Sequence, residues 1–194
     1  MKSRKDIRLP ETSDIEELYN KARYRKNFTE KFRSTIFMLI VVAAFAVLVA
    51  MLFLPILRIY GKSMKGTLDS GDIVVSVKSN QFATGDIIAF YYNNNILVKR
   101  VIAKSGDWVN MTKDGTVYVN DKKINEPYLT SKSYGKTDIT FPYQVPENRI
   151  FVMGDNRKVS IDSRNTSIGT VSDEQIVGKL VFKIWPFSDI GLVN

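Results

Sequence analysis

The chain of 194 residues contains no histidine and no cysteine. Without histidine there is no Ser-His-Asp triad, and without cysteine there is neither a thiol nucleophile nor a disulfide. Any nucleophilic catalysis must therefore use a serine activated by some other group. The remaining base with a route to neutral pH is a lysine kept uncharged by burial. The lack of cysteine also suits an extracytoplasmic domain that dispenses with disulfides.

Charge is absent from one long stretch. Residues 35–57, TIFMLIVVAAFAVLVAMLFLPIL, are 23 residues without a single charged side chain. As a helix they would extend about 35 Å, enough for a hydrocarbon core of roughly 30 Å. The 34 residues before the run, and no small-residue cleavage segment before Arg58, fit a retained anchor better than a removed leader. Lys21, Arg23, Arg25, Lys26, Lys31 and Arg33 precede it, against Arg58, Lys62 and Lys65 after it. This bias predicts a single-pass protein of the cell membrane with its N-terminus in the cytoplasm. The net charge of +8 divides into +4 before the run and +4 after it. That even spread argues against a nucleic-acid partner and agrees with a position beside anionic membrane lipid.

Three regions follow: a cytoplasmic tail over residues 1–34, a transmembrane helix over 35–57 and an extracytoplasmic β-rich domain over 58–194. In the tail, Ser13-Asp14-Ile15-Glu16 is a capping-box pattern, and Ile15, Leu18, Tyr19 and Ala22 recur at helical spacing. A short helix near the membrane surface is expected there. Beyond the span the period changes to two. Strands are expected over 72–77, 87–92, 96–102, 108–111, 116–119, 150–153 and 177–185. Asn93-Asn94-Asn95 and Lys113-Asp114-Gly115 mark turns, and 172–176 suits one short helix. Residues 121–148, with Pro127, Pro142 and Pro146, form a long polar excursion. The expected fold is thus mostly β: one N-terminal transmembrane helix, then an antiparallel β-rich catalytic domain.

Three segments carry unusual chemistry. Gly61-Lys62-Ser63-Met64 lies just past the span, placing Ser63 near the bilayer surface, although an ordinary loop serine has the same look. Lys99 sits within Ile96-Leu97-Val98-Lys99-Arg100-Val101-Ile102 and shares a strand face with Leu97 and Val101. Poor solvation there would bring its pKa from about 10.4 toward neutrality, whereas a snorkelling amine would stay charged. Lys62 and Lys65 are weaker candidates, one adjacent to Ser63 and the other in a solvated turn. The third segment, Gly154-Asp155-Asn156-Arg157-Lys158-Val159-Ser160-Ile161-Asp162-Ser163-Arg164, is either an ion-pair network or a solvated charged loop.

In this order, after an anchor, the three segments resemble the conserved boxes of bacterial type I signal peptidases. Ser63-Met64 with Thr67-Leu68 is similar to the nucleophile box. Val98-Lys99-Arg100-Val101-Ile102, followed by Gly106-Asp107, is similar to the general-base box. Gly154-Asp155-Asn156-Arg157, Ser160 and Asp162-Ser163-Arg164 resemble the third. The likeness runs from the span to the C-terminus, and the single anchor and small domain look most like the Gram-positive branch. It implies an antiparallel β-fold whose apolar surface dips into the membrane. Ser63 would be the nucleophile and Lys99 the neutral base. Ser160 would orient the Lys99 amine, and Asp162 would hold Arg100 and Arg164. The implied substrates are exported preproteins, cut after an Ala-x-Ala-like site near the secretion translocon.

Two positions depart from the pattern. Gly61 stands where Gram-negative relatives have a serine hydroxyl that helps bind the oxyanion, leaving the Ser63 N–H as the natural donor. Gly66 stands where proline is usual, which points to a looser turn, worth roughly 0.4–1 kcal/mol. No metal cluster and no nucleotide loop appear, so no cofactor is implied. The alternatives are an inactive relative that only binds signal peptides and a self-cleaving Ser/Lys repressor-type protease. The second needs a DNA-binding module and an Ala-Gly or Cys-Gly pair, and the sequence has neither dipeptide.

Overall fold

The computed structural model describes residues 12–79 and 81–193. The chain forms two compact units, one ending at Ala50 and one beginning at Met51.

The first unit is helical. Helix α1 spans Thr12–Phe53. The tail pattern and the apolar run, expected as separate helices, are one element. Residues 12–34 contain neither glycine nor proline, so nothing interrupts the backbone ladder between them. The helix is long and apolar enough to cross a membrane, and Phe37, Leu39 and Phe45 on it are exposed. Pro55 lies two residues beyond Phe53, disfavours helical geometry at Leu54 and ends the element. The last residues of the apolar run therefore leave the helix, and Ile56–Arg58 pair as a strand.

Among the described residues the second unit is built from twelve strands: β1 (Ile56–Arg58), β2 (Ile73–Val77), β3 (Ile87–Tyr92), β4 (Asn95–Ala103), β5 (Trp108–Met111), β6 (Val117–Val119), β7 (Lys122–Lys123), β8 (Tyr143–Gln144), β9 (Arg149–Met153), β10 (Val171–Ser172), β11 (Ile176–Trp185) and β12 (Gly191–Leu192). The larger sheet has the order β1-β2-β11-β3-β4-β9-β10, with β12 on β11, and the smaller has β7-β6-β5-β8. Every pairing is antiparallel. The expected strands are present within a residue or two. The short β7, β8, β10 and β12 carry too few residues for a period to show. Residues 173–175 form a single 3-10 turn where a short helix was expected.

The β3–β4 hairpin sets the position of the base. Its loop is two residues, not three: Tyr92 pairs with Asn95, and Asn93 and Asn94 adopt φ of 44° and 62°. A two-residue turn with both φ positive matches the twist of the strands it joins, and asparagine tolerates that conformation. The register it fixes puts Lys99 opposite Ile88 and Arg100 opposite Ile87. Three apolar clusters hold the unit. One packs Ile59, Met64 and Leu68 against Val74, Ile87 and Leu180. A second gathers Phe82, Ile88, Phe90, Val101 and Val152. The third joins Ile102 and Phe151 to Val109 and Val117 of the smaller sheet.

Candidate active site

Ser63 lies on the turn between β1 and β2. That turn is pinned by burial of Met64 and Leu68, at 2% and 1% exposure, and by N–H donation from Thr67 and Leu68 to the Met64 carbonyl. Ser63 itself is half-buried. Gly61 and Gly66 bracket it at φ of +93° and +109°, a region other residues enter only with strain. Gly66 therefore does more than loosen the turn: proline, fixed near −65°, cannot adopt this backbone. Gly61 likewise supplies conformation and no side-chain donor.

Lys99 reaches this serine from the middle of β4. Its Nζ donates to Ser63 Oγ at 2.8 Å, and the residue is 3% exposed. The separation of 36 positions along the chain is closed by packing β1, β2 and β4 around one core. Burial pushes the Lys99 amine down to about 8. Asp162 opposes that fall, Arg164 adds to it, and Asp155 opposes it more weakly. A lysine with such a pKa is partly neutral near physiological pH and can accept a hydroxyl proton at hydrogen-bond distance. Lys62 and Lys65, nearer in sequence, are exposed.

The third segment folds as a buried network around this pair. Arg164 donates from Nε and Nη2 to the two carboxylate oxygens of Asp162, each at 2.8 Å. Burial alone would raise the Asp162 carboxyl; the Arg164 grip and the Gly154 N–H at 2.9 Å outweigh it and hold the group below its ordinary range. Arg100 takes a different partner from the one expected. Its Nε and Nη2 donate to Asp155 at 2.9 and 2.7 Å, and Thr67 Oγ1 donates to the same carboxylate at 2.5 Å. Asp162 thus serves Arg164 and Asp155 serves Arg100, because the chain turn after Gly154 separates the two carboxylates. Ser160 also differs from the expectation. Its Oγ is buried without a directed hydrogen bond, although it lies near enough to Asp162 to help stabilise that carboxylate. The contact to the Lys99 amine is not made. Gly154 explains the closeness here: a Cβ on it would stand 2.3 Å from Ser160 Oγ and 2.6 Å from the Ser63 carbonyl oxygen.

The excursion over residues 121–148 supplies partners that sequence reasoning missed. The Tyr128 ring lies under the Arg100 guanidinium, 3.8 Å from its carbon to the ring centroid. Burial, with Glu126 beside it, raises the Tyr128 hydroxyl pKa. Glu126 pairs with buried Arg157, and the Tyr134 carbonyl accepts from Arg164 Nη1 at 2.9 Å. Each buried arginine of the second and third segments is therefore capped by the excursion. Its polar composition was the visible signal, since buried guanidinium groups require acceptors or aromatic faces.

A cleft of about 600 Å³ opens at the dyad, lined by Ile59, Met64, Leu97 and Val98 beside Ser63 and Lys99. A groove of similar size, about 620 Å³, lies around Lys104, Arg149 and Lys179 and contains no hydrogen-bonded serine and lysine. Size does not distinguish the two; the paired nucleophile and base do.

Comparison with known proteins identifies the family. Residues 31–185 match the family model described as signal peptidase, peptidase S26. The chain is 37% identical over 164 residues to signal peptidase I of Bacillus amyloliquefaciens, covering 78% of this chain and 87% of the relative. It is 40% identical over 151 residues to signal peptidase IB of Staphylococcus aureus strain COL, covering 68% and 78%. A crystal structure of a signal peptidase I from Enterococcus faecalis V583 is 32% identical, with a TM-score of 0.44, covering 52% of this chain and 97% of that one. The chain belongs to the signal peptidase family, peptidase S26.

Proposed function

We propose that this protein is a membrane-anchored serine endopeptidase that removes signal peptides from exported preproteins by a Ser63/Lys99 acyl-enzyme mechanism. The observation that carries the reading is the 2.8 Å contact between Ser63 Oγ and a buried Lys99 amine with a pKa of about 8. In the neutral form Lys99 accepts the Ser63 proton while Oγ adds to the scissile carbonyl carbon. The resulting lysinium returns that proton to the leaving nitrogen as the C–N bond breaks, which leaves an acyl ester on Ser63. Neutral Lys99 then takes a proton from water, whose oxygen attacks the ester, and Ser63 is released protonated. The Ser63 N–H stabilises the oxyanion in both halves. Asp162 with Arg164, and Asp155 with Arg100, keep the surroundings of the Lys99 amine rigid, and Ser160 is placed to support the Asp162 carboxylate rather than the amine.

A cleft walled by Ile59, Met64, Leu97 and Val98, which favours apolar side chains, supports cleavage after an Ala-x-Ala-like sequence. Membrane anchoring is supported by α1, whose exposed apolar side chains would each forgo about 1.5–3 kcal/mol in water. The regions assigned are the tail over 1–34, a span that begins at residue 35 and ends with its helix at Phe53 rather than at 57, and the peptidase domain that follows, which takes in β1. The excess of Lys and Arg before the apolar run favours a cytoplasmic N-terminus and a catalytic unit outside, beside lipid and near the translocon. The test is cleavage of a preprotein by the purified full chain in detergent micelles. Ser63→Ala and Lys99→Ala are expected to abolish it, and wild-type rates in either variant would defeat the proposal.

A further inference from the structure

One residue of the third segment holds the peptide groups on both sides of Ser63. Asn156 Nδ2 donates to the Lys62 carbonyl oxygen at 3.0 Å, and the Asn156 backbone N–H donates to the Ser63 carbonyl oxygen at 2.9 Å. The Asn156 carbonyl in turn accepts from the N–H groups of Val159 and Ser160, at 3.2 and 3.0 Å. Asn156 thus ties the nucleophile turn to the turn that carries Ser160.

The Lys62 carbonyl and the Ser63 N–H belong to one planar, trans peptide group and point in opposite directions. Holding the Lys62 oxygen therefore aims the Ser63 N–H. Among the described residues, apart from Asn156, the Lys62 oxygen receives only the Lys65 N–H, at 3.4 Å. Among the described residues the Ser63 N–H itself has no hydrogen-bond partner, so it is free for a substrate oxygen. Gly61 and Gly66, both at positive φ, bracket the turn with backbones that sequence alone leaves loose. A donated hydrogen bond on the carbonyl side also polarises the peptide and strengthens its N–H as a donor.

From this we propose that Asn156 is a positioning residue for the oxyanion site: its side-chain amide fixes the peptide plane whose N–H stabilises the tetrahedral intermediate. The inference rests on the Ser63/Lys99 reading and adds to it the group that orients the donor left to a chain with glycine at position 61.

The experiment compares Asn156→Ala and the near-isosteric Asn156→Asp, both of which keep the backbone bond to Ser63. The full chain in detergent micelles is assayed on a preprotein and titrated with a peptide aldehyde. The aldehyde carbon receives Ser63 Oγ while the serine proton passes to Lys99, leaving an oxyanion at the site in question. Asn156→Ala is expected to lower kcat by ~10–100-fold, up to the effect of losing one oxyanion donor. KM should stay within about twofold, aldehyde affinity should fall in parallel with kcat, and the acidic limb of the pH profile should not move, since Lys99 is untouched. Asn156→Asp, which presents an acceptor to the Lys62 carbonyl, should lose at least as much, and it decides the matter if Asn156→Ala melts early. The proposal is overturned if both variants keep kcat, if the loss falls on KM, or if the acidic limb shifts. Undiminished cleavage by Ser63→Ala would instead defeat the underlying dyad reading, whatever Asn156 does.

Discussion

Replacing Lys99 with methionine should make this protein more stable at neutral pH while abolishing its activity. Methionine keeps most of the lysine volume and carries no charge. The Lys99 amine falls from 10.5 to about 8 mainly because burial penalises its charged form. At about 1.4 kcal/mol per tenfold change, holding that ammonium at pH 7 costs the folded state ~3 kcal/mol. Removing the hydrogen bond to Ser63 gives back about 1 kcal/mol, so Lys99→Met should gain ~2 kcal/mol at pH 7. The pH dependence carries the sign. Below pH 8 both folded and unfolded chains hold the proton, and the wild type bears the full penalty. Between about 8 and 10.5 the unfolded chain still holds a proton that the folded chain has released, so wild-type stability climbs with pH. The advantage of methionine should shrink across that window and vanish by its upper end. Denaturant unfolding of the full chain in micelles, followed by tryptophan fluorescence, measures this, because Trp108 and Trp185 both lie in the β-rich unit. A variant less stable than wild type at pH 7, or a difference that ignores pH, would refute the reasoning.

Other consequences follow from the same geometry. The kcat/KM of the wild type should rise about tenfold per pH unit at low pH and level off above about 8, as the Lys99 amine becomes neutral; a profile flat from pH 6 to 9 would contradict this. Asp155→Ala should cost ~3–5 kcal/mol in denaturant unfolding, because it removes the carboxylate that pairs with two nitrogens of the buried Arg100 guanidinium. Gly66→Pro should destabilise the chain by more than about 1 kcal/mol and lower activity, because φ at this position is +109°; an unchanged melting temperature would count against the assigned backbone.

The excursion over residues 121–148 shows where sequence reasoning stopped. Its prolines and polar residues marked it as non-repetitive, and nothing local indicated that Glu126, Tyr128 and the Tyr134 carbonyl would close over Arg157, Arg100 and Arg164. Those contacts join residues 28 to 31 apart, and short-range patterning does not report on them. The Asp155–Arg100 pairing has the same origin. Two aspartates seven residues apart offer either arginine a partner, and only the turn after Gly154 decides which is reached.

Sequence alone pointed to Ser63 and Lys99 as nucleophile and base candidates, because the absence of histidine and cysteine left few chemistries and three ordered segments resemble the boxes of a known peptidase family. It also marked the longer strands of the larger sheet and the apolar run of the helix, since each leaves a trace over many residues, while the continuity of that helix and the short strands β1, β10 and β12 left none. Tertiary structure decided what periodicity does not encode: the 2.8 Å approach of Lys99 to Ser63, the place of the buried Ser160 hydroxyl beside Asp162 rather than at the Lys99 amine, and the two hydrogen bonds by which Asn156 holds the peptides around the serine. Each depends on distant segments meeting at hydrogen-bond range, and that distance is set by how the sheets and their connecting turns pack.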